Sequence, residues 1–390
     1  YDVVVTNPPY MGASNMNPRL NDFIKNHYPD YKSDFFSAFI VRGSEMTKPE
    51  GYCGYFTPYV WMFIQSYEKL REYLYSNATI ETLIQFEYSA FEEATVPVCT
   101  FAFKNSHVSK KGCYLRLVDF RGGMEVQRQK TLEAIANHDC GFYYEQNTDN
   151  FSKIPGSPVA YWAGIAEINA FATNPIIDDV FETKNGMSTT NNNLFLRLWF
   201  ECDKQKCGFG SYTAESAKNS KKKWFRYNKG GEFRRWYGNN DYLVNWENDG
   251  EELKAYVTKH YGSYSKEIRG ESRYFCESIT WSGVTSSATG FRYSSQGALF
   301  DSGANGLFAD NTESLMYLLG FLNTRLVVNF VKIKNPTINT GSGTVGKLPI
   351  CIDSSRKSDV NALAYECVDL SRTDWDSFET SWDFKRHPLV

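Results

Sequence analysis

The chain has 390 residues, enough for about two or three ordinary domains with sizeable cores, and carries a net charge of −3 from 42 Lys and Arg against 45 Asp and Glu. Bulk electrostatics therefore neither demand nor exclude a nucleic-acid partner, and any basic surface must be local. Nine cysteines fall without regular spacing, and the close pair Cys202 and Cys207 lacks the second pair or nearby histidines that a metal site needs. With no apolar run of membrane-spanning length, this points to a cytoplasmic protein with reduced thiols, no metal and no membrane partner.

The opening stretch, YDVVVTNPPYMG, begins at 1–6 with the Val-rich run of a strand buried on both faces, as in a parallel sheet. Two prolines then stop it. Pro8 and Pro9 fix their own φ, Pro8 biases Asn7 away from helix, and neither carries an N–H. What remains is a stiff loop offering carbonyl oxygens and one amide side chain at the carboxyl end of a strand, where open α/β sheets bind ligands. Helical spacing follows over 34–47, a strand over 52–57, a second helix over about 66–75, and strands over 79–86 and 96–103. Four strands with two crossover helices make roughly half of a doubly wound domain over 1–105. No glycine-rich strand-to-helix turn of the dinucleotide or cofactor kind accompanies them. A chain that opens on a buried strand is read as a fragment, and residues 353–390 read as a linker and the start of a truncated helical region.

Residues 106–158 are polar, with Lys110, Lys111, Asn147, Pro155 and Pro158 marking linker-like stretches around a helix near Leu132, and are read as a connector. From 159 to 352 short aromatic and β-branched runs (LFLRLWF, RYFCESITW, GFRYSSQGALF) alternate with Gly, Ser and Asn. These predict short strands, a helix across 312–330 and a strand at 348–352, a mixed α+β second domain. Within it, KNSKKKWFRYNKGGEFRRWYGNN sets Lys218, Lys221, Lys222, Lys223, Arg226, Lys229, Arg234 and Arg235 against the single acid Glu232. Trp224, Phe225, Tyr227 and Phe233 are interleaved, a pattern suited to a loop that meets phosphates. Ser287, Thr289, Arg292 and Ser294 are candidates for contacts to base edges. The acidic run NWENDGEE at 245–252 interrupts any continuous basic surface.

Asn7-Pro8-Pro9-Tyr10 after a buried strand resembles the catalytic loop of S-adenosylmethionine-dependent amino-methyltransferases, above all the N6-adenine DNA enzymes. SDFFSAFI, EGYCGYFTPYVWM and SAFEEATVPVCTFAF resemble the helix, strand and hairpin that follow in that class. Further on, NGMSTTNNNLFLRLWFE, KKWFRYNKGGEFRRWYGN and YLVNWENDGEE resemble the adenine-specific methyltransferases of bacteriophage-exclusion (BREX) defence systems, the PglX family. The resemblance implies the C-terminal half of a Rossmann-like methyltransferase domain followed by a target-recognition domain. It also implies S-adenosyl-L-methionine as cofactor, with its main binding segment upstream of Tyr1 and this chain alone inactive. The implied partners are double-stranded DNA with an extruded adenine and other defence-system proteins.

The chemistry suits those residue types. The exocyclic nitrogen of adenine is a poor nucleophile because its lone pair is conjugated into the ring. If the Asn7 side-chain oxygen and the Pro8 carbonyl each accept one N–H, that pair is localised and directed at the methyl donor. Tyr10 then stacks on a base that has left the duplex. By resemblance Phe91 is a second aromatic against the base, while Asn7, Pro9 and Phe39 line the cofactor. A non-catalytic DNA-binding specificity module, and a methyltransferase acting on rRNA adenine or on a glutamine amide, remain open alternatives.

Overall fold

The computed structural model describes residues 1–91, 96–285, 288–387 and 389. Two compact units account for it: Tyr1–Thr173 with Ile333–Asn335, and Asn174–Lys332 with Pro336–Val390. In the first, strands β1 (Val3–Thr6), β2 (Tyr52–Pro58), β3 (Thr79–Gln85), β4 (Val98–Lys104), β5 (Lys111–Arg116) and β6 (Tyr143–Asn147) form one sheet in the order β1-β2-β4-β3-β5-β6. β1 is parallel to β2 and β5 to β3. β4 runs antiparallel to both β2 and β3, so β1, β2, β3 and β5 end at the same edge.

Helices α1 (Pro18–His27), α2 (Phe35–Met46), α3 (Glu68–Asn77), α4 (Gly123–Ala136) and α5 (Ile165–Thr173) complete the unit. Phe36, Ile40 and Val41 of α2 and Leu70 and Leu74 of α3 share a core with Tyr55, Leu83, Phe101 and Tyr114 on one sheet face. Ala134 of α4 packs with Leu115, Leu117 and Phe142 beside Ile84 on the other. The alternation Tyr114/Leu115 along β5 is the period-two signature of a strand covered on both sides. Helix α2 lies close on β2 because Gly43 has no side chain, since a Cβ there would sit 1.8 Å from the Tyr55 hydroxyl oxygen.

Two expectations fail in this unit. Within these 390 residues β1 lies at the sheet edge and is not covered on both faces: Val4 and Thr6 are half-buried, and Val3 and Val5 are 57% and 75% exposed. Nor is 106–158 a connector, because it supplies β5, α4 and β6. Its polar character misled because strands β5 and β6 pair with each other and α4 turns most of its surface to solvent. The buried Arg71 fixes its far end. Arg71 donates to the carbonyls of Trp61 at 2.6 Å and Ile64 at 2.9 Å, and twice to Gly156, while Tyr75 donates to Ser157.

The second unit holds two four-stranded sheets. One contains β8 (Leu196–Leu198), β9 (Trp224–Asn228), β10 (Tyr242–Asn245) and β13 (Ala298–Phe300) in the order β13-β9-β10-β8. The other contains β7 (Glu182–Lys184), β11 (Ser278–Trp281), β12 (Phe291–Ser294) and β14 (Gly306–Phe308) in the order β12-β11-β14-β7. Phe225, Tyr227, Val244, Leu299, Phe300 and Phe308 form its core with Leu253 and Val257 of the helix Glu247–Tyr261. The expected helix across 312–330 is two, Thr312–Leu322 and Arg325–Lys334, bent by 76° at Asn323 and Thr324. The Asn323 amide donates to the Phe291 and Leu319 carbonyls there, so the break is held by hydrogen bonds. Leu348 to Ile352 forms no strand. Leu348 and Ile350 are buried, and pairing is limited to one bridge, Ile176 with Pro349. Residues 353–390 include the 19-residue helix Lys357–Trp375, which packs against Thr312–Leu322. Among the described residues no single helix is long and apolar enough to cross a membrane.

Candidate functional site

The loop after β1 is braced from the start of α2. Asp34 caps that helix by accepting from the Phe36 N–H at 3.3 Å, and the same oxygen accepts from the Met11 N–H at 2.9 Å. Phe35 donates back to the Met11 carbonyl and Ala13 to Ser33, so Tyr10 is followed at once by a fixed segment. Burial raises the Asp34 carboxyl above its ordinary value, while the backbone donors pull the other way.

Within the loop Pro8 is buried, whereas Asn7 and Pro9 are exposed. Among the described residues nothing donates to the Pro8 carbonyl, and the Asn7 carboxamide has no hydrogen-bond partner. The Tyr10 ring stands edge-on to Phe36 at 6.4 Å, and its hydroxyl donates to the Phe56 carbonyl at 3.0 Å. Burial and the nearby Cys99 push that hydroxyl up to about 12, so it remains a donor at neutral pH. Phe91 packs edge-on against both Phe56 and Phe86 at 5.3 Å. Tyr10 and Phe91, 81 residues apart in sequence, therefore both rest on Phe56 at the carboxyl edge of the parallel strands. Phe39 is half-buried on α2, edge-on to Phe35 at 4.8 Å.

Asp34 and Phe36 carry no site motif of their own in the sequence. An Asp before an apolar helical run signals an N-cap. Its second acceptor role, toward Met11, depends on how α2 folds back.

The basic stretch is not a single loop. Residues 214–220 are helical, Lys221 takes a left-handed conformation, and β9 follows with Phe225 and Tyr227 at 0% and 1% exposure. Of the four interleaved aromatics, Phe225 and Tyr227 are core, whereas Trp224 is half-buried and Phe233 is exposed. Lys223 pairs with Glu252 at 3.6 Å and with Glu247 at 4.0 Å, so the acidic run at 245–252 neutralises part of the basic one. That run turns through left-handed Asn248, Asp249 and Gly250, and a Cβ on Gly250 would lie 2.6 Å from the Trp246 ring. Lys229 pairs with Asp301, Arg234 with Asp374 while lying over the Trp375 ring, and Lys222 donates to the Gln205 carbonyl. Arg235 lies over the Phe233 ring. Arg226 donates to Ser295 Oγ and to the Gln296 carbonyl. Lys218 and Lys221 are exposed and, among the described residues, have no ion-pair partner.

The proposed base-edge residues are withdrawn from the surface. Thr289 is buried and donates to Thr340, Ser294 is buried and accepts from Asn228, and Arg292 is 2% exposed with no partner for Nε. Burial, then the neighbouring Arg234, lower the Arg292 guanidinium to about 10. Ser287 lies outside the described residues.

The likeness is to restriction–modification methylases, by sequence for the first 91 residues and by fold for the chain as a whole. The model of the Eco57I restriction-modification methylase family matches residues 1–91. The type IIL restriction-modification enzyme MmeI, solved in complex with DNA, shares the fold: TM-score 0.63 at 13% identity, covering 99% of this chain and 52% of that one. More particularly, the whole chain is a relative of two curated proteins. It is 37% identical to the adenine-specific methyltransferase PglX of Lacticaseibacillus casei (strain Zhang) over 100% of its own length and 32% of that protein's. It is 34% identical to the adenine-specific methyltransferase BrxX of Escherichia coli O9:H4 (strain HS), again over 100% of itself and 31% of the relative. The chain thus spans about a third of the length of the curated relatives it matches.

Proposed function

We propose that this chain provides the catalytic loop and target-recognition unit of an adenine-specific N6 DNA methyltransferase. It would act in a BREX-type phage-defence or restriction–modification system, marking host DNA as self. The observation that carries the reading is a pair of acceptors, the Asn7 side chain and the Pro8 carbonyl, left unengaged beside a Tyr10 ring that is itself braced. Two acceptors on a proline-stiffened loop can take both protons of an exocyclic amine and hold its lone pair away from the ring. A free aromatic face next to them suits a base out of its stack.

The partner in this reading is duplex DNA from which one adenine is extruded, with Phe91 and Tyr10 on either side of the base. The cofactor would be S-adenosyl-L-methionine, which supplies the methyl group as an electrophile. The residues fit it in that Asn7 and Pro9 are exposed and Phe39 is only half-buried, so none is closed off by protein packing. Asn7 and Pro8 would orient the amine, and Asp34 would hold the loop that carries them. The exposed Lys218 and Lys221 are the lysines best free to meet phosphates.

The test is sequencing of host DNA for N6-methyladenine in cells with the full-length gene, without it, and with Asn7→Ala. The reading expects a methylated motif that disappears in the last two. A mark that persists with Asn7→Ala would refute the assignment, and absence of any mark with the intact gene would favour a non-catalytic specificity module.

A further inference from the structure

A cavity of about 400 Å³ opens in the second unit, and none of the residues assigned above to methyl transfer lines it. Its walls are aromatic, with Trp199, Phe209, Tyr212 and Trp382 around Arg226 and Asp383. The rings are positioned by the tail of the chain. Trp199 Nε1 donates to the Thr380 carbonyl at 2.8 Å, Phe209 and Trp382 lie 5.4 Å apart, and Ser381 is buried with its hydroxyl donating to Asp376. Tyr212 is 54% exposed although its ring borders the cavity, so its apolar surface stays in water.

The charges are unusual for a simple crevice. Among the described residues Arg226 has no ion-pair partner and its Nε no hydrogen-bond partner; its bonds go to Ser295 and Gln296, both uncharged. Asp383 lines the same cavity and forms no ion pair with it. Lys204 adds a second cation to the lining. An aromatic cage for a methylated ammonium group would not place two cations in its wall. Ring faces, an excess of positive charge and one carboxylate acceptor instead match a flat, amino-bearing heterocycle that carries an anion. The size lies within the range of small-molecule pockets, about 300–1,000 Å³.

We infer that the cavity walled by Trp199, Phe209, Tyr212, Trp382, Arg226 and Asp383 binds a nucleotide, its base between the rings and its phosphate toward Arg226 and Lys204. The nucleotide is either free or an unstacked unit of a nucleic-acid strand. The inference goes beyond methyl transfer and does not depend on it. Binding a mononucleotide requires neither DNA methylation nor the cofactor, so either reading can fail alone.

Calorimetric titration of the full-length protein tests it, with AMP, inorganic phosphate and a short single-stranded oligonucleotide as probes. AMP should bind saturably and phosphate at least tenfold more weakly, because the rings contribute most of the affinity. Trp382→Ala should weaken AMP binding by roughly five- to 150-fold, the range for loss of one base–aromatic stack. Asp383→Ala, a change at an exposed position, should weaken it with no change in the thermal unfolding of the protein. An oligonucleotide that binds more tightly than AMP and loses that advantage in Trp382→Ala identifies a strand as the source, and equal or weaker binding identifies a free nucleotide. No AMP binding to the intact protein, AMP no better than phosphate, or unchanged AMP affinity in both variants would overturn the inference.

Discussion

Tyr10 has two separable parts, a ring and a hydroxyl, and the structure gives them different work. The hydroxyl is already committed to the Phe56 carbonyl at 3.0 Å, so it braces the loop and is not available to substrate. Removing it in Tyr10→Phe forfeits about 1 kcal/mol of hydrogen bonding, which lowers occupancy of the braced loop by no more than about fivefold. The ring is held edge-on by Phe36, and in the proposed function its remaining surface meets the base. Removing it in Tyr10→Ala forfeits about 1–3 kcal/mol of base stacking, roughly a five- to 150-fold loss. Transfer of labelled methyl groups to duplex DNA by the full-length protein should therefore rank wild type, Phe and Ala in that order, with Phe close to wild type. A target adenine placed in a mismatch should recover part of the Ala defect, because such a base costs less to unstack. Tyr10→Phe as damaging as Tyr10→Ala, or Tyr10→Ala at wild-type rate, would refute the reasoning.

Replacing Lys218 and Lys221 together by Ala should reduce the salt slope of DNA binding by about two, at roughly 0.9 per phosphate contact, whereas Lys223 and Lys229 variants should leave it unchanged. Those two are engaged by Glu247, Glu252 and Asp301, and the opposite ranking in a salt titration would contradict the pairing argument. Arg71→Met should destabilise the first unit by about 3 kcal/mol, since the Trp61, Ile64 and Gly156 carbonyls lose their donors, and urea unfolding measures it. A change under about 0.5 kcal/mol would mean that those carbonyls find other partners. Because burial raises Asp34, the folded chain retains a proton there that the unfolded chain has lost. Stability therefore falls as pH rises through the window just above the ordinary carboxylate value, and Asp34→Asn should flatten that part of the pH profile of unfolding. An unaltered profile would show that Asp34 does not titrate in that window.

Local chemistry was legible in the sequence wherever one short segment decides it. Two prolines after a Val-rich run fix a stiff loop in any context, and Asp34 before FFSAFI marks a helix start that the structure places at Phe35–Met46. The strands at 52–58, 79–85 and 98–104 follow from β-branched and aromatic runs within a few residues of their expected ends. Pairing is not local. The polar stretch 111–147 joined the sheet through β5 and β6, and the buried Arg71 caps a carbonyl 85 residues away.

The charged stretch at 218–235 shows the same division from the other side. Its eight cations are evident in the sequence, but composition cannot reveal that 245–252 folds beside them and that Lys223 is taken up by Glu252. The alternation that resembled a DNA-facing loop is that of a strand, with Phe225 and Tyr227 turned into a core. By itself the sequence determined which residues are stiff, basic or capping, because those properties belong to single residues and their neighbours along the chain. Only the tertiary structure decided which acceptors stay open, as at Asn7 and Pro8, and which cations stay free, as at Lys218 and Lys221. Burial and partner choice are set by segments far apart in the chain that meet only when it folds.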